Sequence, residues 1–169
     1  MSPEPLLDDP AATAQDRLLV GRTLAIARSA VARGNHPFGA LLALGRDVLA
    51  EQENEVVTTK DATRHAETAL VAAVTATLAP EVLRTATLYT STEPCVMCCG
   101  AIHWSGIGGV VYGVTASQMS AVASGDYRPI PCREIFERLG SPVSVRGPVS
   151  EAEGLAIHRD FWPAFLGRR

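Results

Sequence analysis

Hydrophobic and polar positions follow two periods along this chain, and the switches between them outline its elements. From Ala14 to Arg33, apolar residues recur at Leu18, Leu19, Ile26 and Val31, with alanine and leucine between them. That spacing predicts a helix, which Gly34 ends. "NHPFGALLALGRDVLAEQENEVV" reads as a loop, a buried strand, a turn near Gly45-Arg46-Asp47 and a second strand, together a hairpin. "DATRHAETALVAAVTATL" predicts a second helix, capped by Asp61 or Thr63 and followed by Pro80. The β-branched run "TATLYTS" is a buried strand. A third helix has Pro94 in its first turn and stops at Gly106. "GGVVYGV" is another strand.

The last third is less regular. It predicts a short helix, a loop at "SGDYRPIPC", a helix at "REIFERLG" and a fifth strand within "VSVRGPV". "SEAEGLAIHRDFWPAFL" is the final helix, with Ser150 as cap and Glu153 at the capping-box position. Residues 1–13 read as a loose leader and 14–169 as a single domain. The order of elements predicts an α/β protein, a mixed sheet with helices on both faces.

Composition narrows the function classes. The 169 residues are 47% hydrophobic and 20% charged, with a net charge of -3. No global basic field attracts a nucleic-acid backbone, which disfavours a polyanionic partner. No stretch approaches the roughly 20 apolar residues of a membrane span. The acidic, proline-bearing start lacks the cationic and apolar regions of a signal peptide, so a cytoplasmic protein is expected. In a reducing compartment, the clustering of Cys95, Cys98 and Cys99 points to metal or redox chemistry rather than disulfides.

Cys95 and Cys98 stand three apart and share one helical face, where a helix N-terminus favours the thiolate. Cys99 is turned away from them. His65 opens a different helix. One nitrogen and two sulfur ligands leave a fourth tetrahedral position for water, the mark of a catalytic rather than a structural zinc. Glu67, close to that site but not needed as a ligand, is placed to carry protons. Cys99 and Cys132 are expected to pack as small buried hydrophobes, and His36, His103 and His158 as surface or satisfied core histidines.

His65-Ala66-Glu67 followed by Pro94-Cys95-Val96-Met97-Cys98 matches the H-x-E…P-C-x-x-C signature of zinc-dependent base deaminases. With "HPFGALLAL", "ENEV", "TSTEPCVMCCGAIHWSGIGGVVYGV" and "HRDFW", the chain resembles the bacterial guanine deaminase type of the cytidine deaminase-like superfamily. The resemblance implies a three-layer α/β/α sandwich around a five-stranded mixed sheet and one zinc ion per subunit. It implies that His65, Cys95 and Cys98 hold the metal and that Glu67 shuttles protons. It further implies that Asn54 and the Ala66 backbone N–H bind the base, and that Phe38 lines its pocket. Trp104 would help close the pocket, and Asp126 would contact the substrate. A homodimer is implied as well.

The expected activity is hydrolysis of an exocyclic amine on a free nucleobase: guanine, another aminopurine, or a cytosine-like or triazine analogue. The alternatives are a tRNA-specific adenosine deaminase and a nucleoside deaminase. The tRNA reading asks for a basic face near the site, whereas the last helix carries Glu151, Glu153 and Asp160. A non-enzymatic zinc module would need a fourth protein ligand, which Cys99 could supply only by distorting its helix.

Overall fold

Five strands, β1 (Gly39–Leu44), β2 (Asp47–Glu53), β3 (Thr87–Thr92), β4 (Gly109–Val114) and β5 (Ser144–Arg146), form one sheet in the order β2-β1-β3-β4-β5. In this computed structural model, residues 8–167 are described; the first seven positions of the expected leader, Arg168 and Arg169 lie outside them. β1 pairs antiparallel with β2 and with β3, while β3–β4 and β4–β5 are parallel. Eight helices surround the sheet among the described residues: α1 (Ala14–Ala32), α2 (Val56–Thr59), α3 (Ala66–Thr75), α4 (Pro80–Thr85), α5 (Val96–Ser105), α6 (Ala116–Val122), α7 (Cys132–Arg138) and α8 (Glu151–Leu166).

The central strands are apolar at successive positions because both of their faces are covered. Leu42, Leu88 and Val110 enter a core with Leu70 and Val74 of α3, Ile102 of α5 and Phe136 of α7. Their neighbours Leu41, Tyr89 and Val111 point the other way, into a core with Leu19, Val20 and Leu24 of α1. The result is the expected three-layer α/β/α sandwich. Gly39 permits the close approach of α1 to β1: a Cβ there would lie 2.6 Å from the Thr23 carbonyl oxygen and 2.7 Å from Ile26.

Several expected helix starts are corrected. The second long helix begins at Ala66 with His65 as its N-cap, and Asp61 instead folds the preceding turn, accepting from Thr63 N at 2.8 Å. The third begins at Val96 with Cys95 as N-cap, so Pro94 lies one residue ahead of the cap. Pro80 does not merely follow a helix; it opens α4, where its missing N–H is no loss. Ser150 precedes α8 in a left-handed conformation (φ 57°) and makes no capping bond. The Glu151 carboxylate instead accepts from Thr115 N at 3.0 Å and Thr115 Oγ1 at 2.7 Å, and Glu153 pairs with Arg28. The capping box lies on α1, between Thr13 and Asp16.

Asp16 also joins the layers. It is buried, accepts two bonds from Arg146 of β5 at 2.9 and 3.1 Å, and accepts from Tyr89 Oη at 3.1 Å. Near the chain start, Asp9 accepts from Gly147 N at 2.9 Å, and its own N–H donates to the Pro148 carbonyl at 2.7 Å. No helix among the described residues is long and apolar enough to cross a membrane.

Candidate metal centre and active site

Helices α3 and α5 pack side by side and bring their N-termini together. The caps are His65 and Cys95, neither of which uses its side chain to cap its own helix. Both side chains are therefore available to a third partner. Cys98, in the first turn of α5, is fully buried beneath them. His65 Nδ1 lies 3.7 Å from Cys95 Sγ and 3.6 Å from Cys98 Sγ, and the two sulfurs are 3.6 Å apart.

These separations fit one zinc ion. Tetrahedral bonds of about 2.3 Å to sulfur and 2.0–2.1 Å to nitrogen place two sulfurs about 3.8 Å apart, and sulfur and nitrogen about 3.6 Å apart. Among the described residues, His65, Cys95 and Cys98 are the group whose donor atoms converge in this way. Cys99 does not join them. It is buried, and its Sγ donates to the Pro94 carbonyl at 3.4 Å.

The electrostatics of the trio are those of donors pressed together. The hydrogen bond from the Cys98 thiol, helped by His65, holds Cys95 down to about 4 against the cost of burial. The same bond and burial push Cys98 well up. His65 is raised, first by its hydrogen bond with Cys95. A cation that accepts two thiolates and a neutral imidazole displaces the protons these groups otherwise compete for.

Glu67 is buried in the first turn of α3, two residues after His65. Its Oε2 lies 3.5 Å from Cys98 Sγ, and its Oε1 accepts from Thr90 Oγ1 at 2.7 Å. Burial raises its pKa, opposed chiefly by the Thr90 bond. It therefore stands beside the metal ligands with a proton affinity above that of an ordinary carboxylate.

A pocket of about 430 Å³ opens on these groups. His65, Glu67 and Cys95 form its polar end, while Phe38, Val96, Met97, Met119 and Tyr127 supply apolar walls. Thr92, Glu93 and Ala116 complete the lining, and none of the lining residues is Lys or Arg. Asn54 is buried at the end of β2. Its Oδ1 accepts from Val56 N at 3.1 Å, but its buried Nδ2 has no partner among the described residues. Ala66 is the first residue of α3, buried, with the free N–H of a helix start.

Of the five expected substrate residues, Phe38 lines the pocket, Asn54 and Ala66 are buried outside its lining, and Trp104 and Asp126 are exposed away from it. Trp104 is 86% exposed, because the turns of α5 that carry Cys98, Cys99 and Ile102 inward carry it outward. Asp126 is exposed in the loop after α6. The carbonyl of its neighbour Tyr127 accepts from Ser120 Oγ at 2.6 Å, and that tie presents Tyr127, not Asp126, to the pocket.

Other contributors had no local signal. Glu93 accepts from Ala116 N at 2.9 Å and from Cys132 N at 2.8 Å, so one buried carboxylate receives the first N–H of both α6 and α7. Thr90 anchors Glu67 across 23 residues of sequence. His158 of α8 is a satisfied core histidine bonded to Thr92 and Trp162. Alternation along β3 offers the one sequence clue: Thr90 and Thr92 share a face.

Comparison with known proteins agrees with this geometry. The model of the cytidine and deoxycytidylate deaminase zinc-binding region matches residues 13–114. A probable cytosine deaminase of Schizosaccharomyces pombe is 35% identical over 152 residues, covering 88% of this chain and 93% of that protein. A tRNA-specific adenosine deaminase of Agrobacterium fabrum is 39% identical over 99 residues, 59% of this chain and 65% of its own length. Among solved structures, a mutant protein in complex with 8-azaguanine superposes with a TM-score of 0.72 at 25% identity, covering 88% of this chain and 86% of that one.

Proposed function

The chain belongs to the cytidine and deoxycytidylate deaminase zinc-binding family, and from that premise we propose that it hydrolyses the exocyclic amine of a free nucleobase, an aminopurine of the guanine class. The observation that carries this reading is the buried Glu67 set against the His65, Cys95 and Cys98 donors in a largely apolar pocket whose lining holds no Lys or Arg. The ligand of the 8-azaguanine complex, a guanine analogue, supports the choice of base.

His65 Nδ1, Cys95 Sγ and Cys98 Sγ would hold a zinc ion, which when bound would lower the pKa of water and supply a nucleophile at neutral pH. Glu67 would take one proton from the attacking water and deliver it to the ring nitrogen, then carry the second water proton to the departing amine. Water and the amine are consumed; a carbonyl and ammonia are formed. Thr90 fixes the carboxylate for both transfers by holding Oε1, leaving Oε2 toward the metal ligands. Burial keeps the proton affinity of Glu67 high enough for it to serve as acid as well as base. Asn54 Nδ2 is a desolvated donor and is most simply satisfied by an acceptor on the base, joined by the Ala66 N–H. Phe38 and Tyr127 with the two methionines exclude water from a flat ring.

A specific observation keeps tRNA as the second reading: the tRNA deaminase of A. fabrum shares 39% identity over 99 residues. The pocket argues against it, since no Lys or Arg lines the walls to meet a phosphate. The same argument disfavours nucleotides. The exposed apolar stripe of Val96, Met97 and Trp104 on α5 is assigned to a homodimer contact beside the pocket mouth. The free thiols of all four cysteines suit a cytoplasmic setting.

Ammonia release from free bases, nucleosides, s-triazines and tRNA tests the proposal. Turnover of guanine or another free aminopurine is expected. Inosine formation in tRNA, with no free base consumed, would replace this reading by the second.

A further inference from the structure

We propose that the Thr92 hydroxyl is a substrate-facing hydrogen-bond donor, oriented by His158 and Trp162 of the C-terminal helix. The inference rests on reading the pocket as a nucleobase site, and it adds the part of the molecule that the metal signature leaves unused.

The direction of the relay follows from which atoms can donate. Trp162 Nε1 bears a hydrogen and cannot accept. It donates to His158 Nδ1 at 3.1 Å, so Nδ1 carries a lone pair. The neutral imidazole must then carry its hydrogen on Nε2. Nε2 lies 2.8 Å from Thr92 Oγ1 and donates to it. Oγ1 is thereby an acceptor toward His158, and its own hydrogen is left over. Among the described residues that hydrogen has no acceptor.

Thr92 lines the pocket, two residues beyond Thr90 on the same strand face, and Thr90 already reaches Glu67. The leftover donor is therefore on the side of the strand where the base binds. His158 is itself buried, with its ring nearly coplanar with that of Trp162 (interplanar angle 4°, centroids 6.4 Å apart), as an in-plane N–H···N bond requires, and 5.4 Å from pocket-lining Phe38. Burial lowers its pKa to about 4, in accord with the neutral tautomer that the geometry requires. The C-terminal helix thus sets both a polar and an apolar wall of the site. Thr92 selects bases that present an unprotonated ring nitrogen or a carbonyl oxygen toward the end of β3. Thr92 would touch the substrate; His158 and Trp162 are positioning residues.

Two measurements test the inference. Nitrogen-15 spectra of the zinc-loaded protein at neutral pH should show His158 as the neutral Nε2–H tautomer, and Trp162→Phe should admit the other tautomer. A proton on Nδ1 in the wild type would overturn the relay. Kinetics on the preferred base should show that Thr92→Val raises KM about tenfold, the loss of one hydrogen bond, with kcat within about twofold and zinc retained. Thr92→Ser should recover KM to within about threefold, and Thr92→Val with Trp162→Phe should be no worse than Thr92→Val alone. Equal losses in the Val and Ser variants would assign Thr92 to packing and refute the contact. No ammonia from any base with the wild type overturns both readings of the site; a productive wild type with an unchanged Thr92→Val overturns this one alone.

Discussion

Replacing Glu93 by glutamine should destabilise the protein far more than the loss of one charge at a surface would. The carboxylate accepts the first N–H of α6 at 2.9 Å on Oε2 and the first N–H of α7 at 2.8 Å on Oε1, and only 9% of the residue is exposed. A glutamine offers one oxygen and one NH2 group. Whichever way it is turned, one helix loses its acceptor and meets a donor instead. Hydrogen bonds to a charged group contribute about 1.5–3 kcal/mol each. Carboxylate attraction to a helix N-terminus adds about 0.3–1 kcal/mol, here at two helices. A loss of about 2–4 kcal/mol follows for Glu93→Gln. For a chain of this size each kcal/mol moves Tm by about 2–4 °C, so calorimetry should show a fall of about 4–16 °C. Because α6 presents Met119 and Ala116 to the pocket, KM should rise as well. A variant that melts within about 2 °C of the wild type would refute the clamp, since the predicted minimum is twice that.

Thr90→Val removes the donor that fixes Glu67 Oε1; kcat should fall about 10–100-fold with zinc content unchanged, measured by steady-state kinetics and metal analysis. Asp16 links stability to acid. Burial pushes its pKa up, but the bonds from Arg146 and Thr13 outweigh it and hold the group at about 2, below the usual 3.8. The folded pKa is the lower one, so this group stabilises the fold above about pH 4 and loses that contribution as pH falls toward 2. The contribution is about 2 kcal/mol. In urea unfolding, the gap between wild type and Asp16→Asn should be widest near neutral pH and narrow below pH 4; a gap constant with pH would contradict the assignment. Trp104→Glu should shift a dimer toward monomer in sedimentation velocity, and an unchanged sedimentation coefficient would remove α5 from the contact.

The parts of the site legible in the sequence are those that covalent spacing fixes. His65 and Glu67 lie two apart at one helix start, and Cys95 and Cys98 three apart at another, so each pair reaches the same corner wherever the helices pack. The layers were legible for a similar reason: Leu41-Leu42 and Val110-Val111 place adjacent apolar residues on strands that must be covered on both faces. Helix caps were less legible, because Ser150 has the right chemistry but the wrong backbone conformation, and the two helices nearest the metal are capped by its ligands. The polar groups that hold the site in shape carry no local pattern. Thr90 meets Glu67 across 23 positions, Glu93 meets Cys132 across 39, and Thr92 meets His158 across 66. Trp104 shows the converse: the motif containing it was recognisable, but which way it faces depends on the packing of α5.

Turnover by zinc-loaded Glu67→Ala tests the central claim most directly. Glu67 is not among the three converging donors, and in the proposed mechanism it supplies the proton transfers. The variant should retain one zinc per chain and the wild-type fold while ammonia release from the preferred base falls at least about a hundredfold. Zinc-loaded Glu67→Ala with kcat close to that of the wild type would contradict the account.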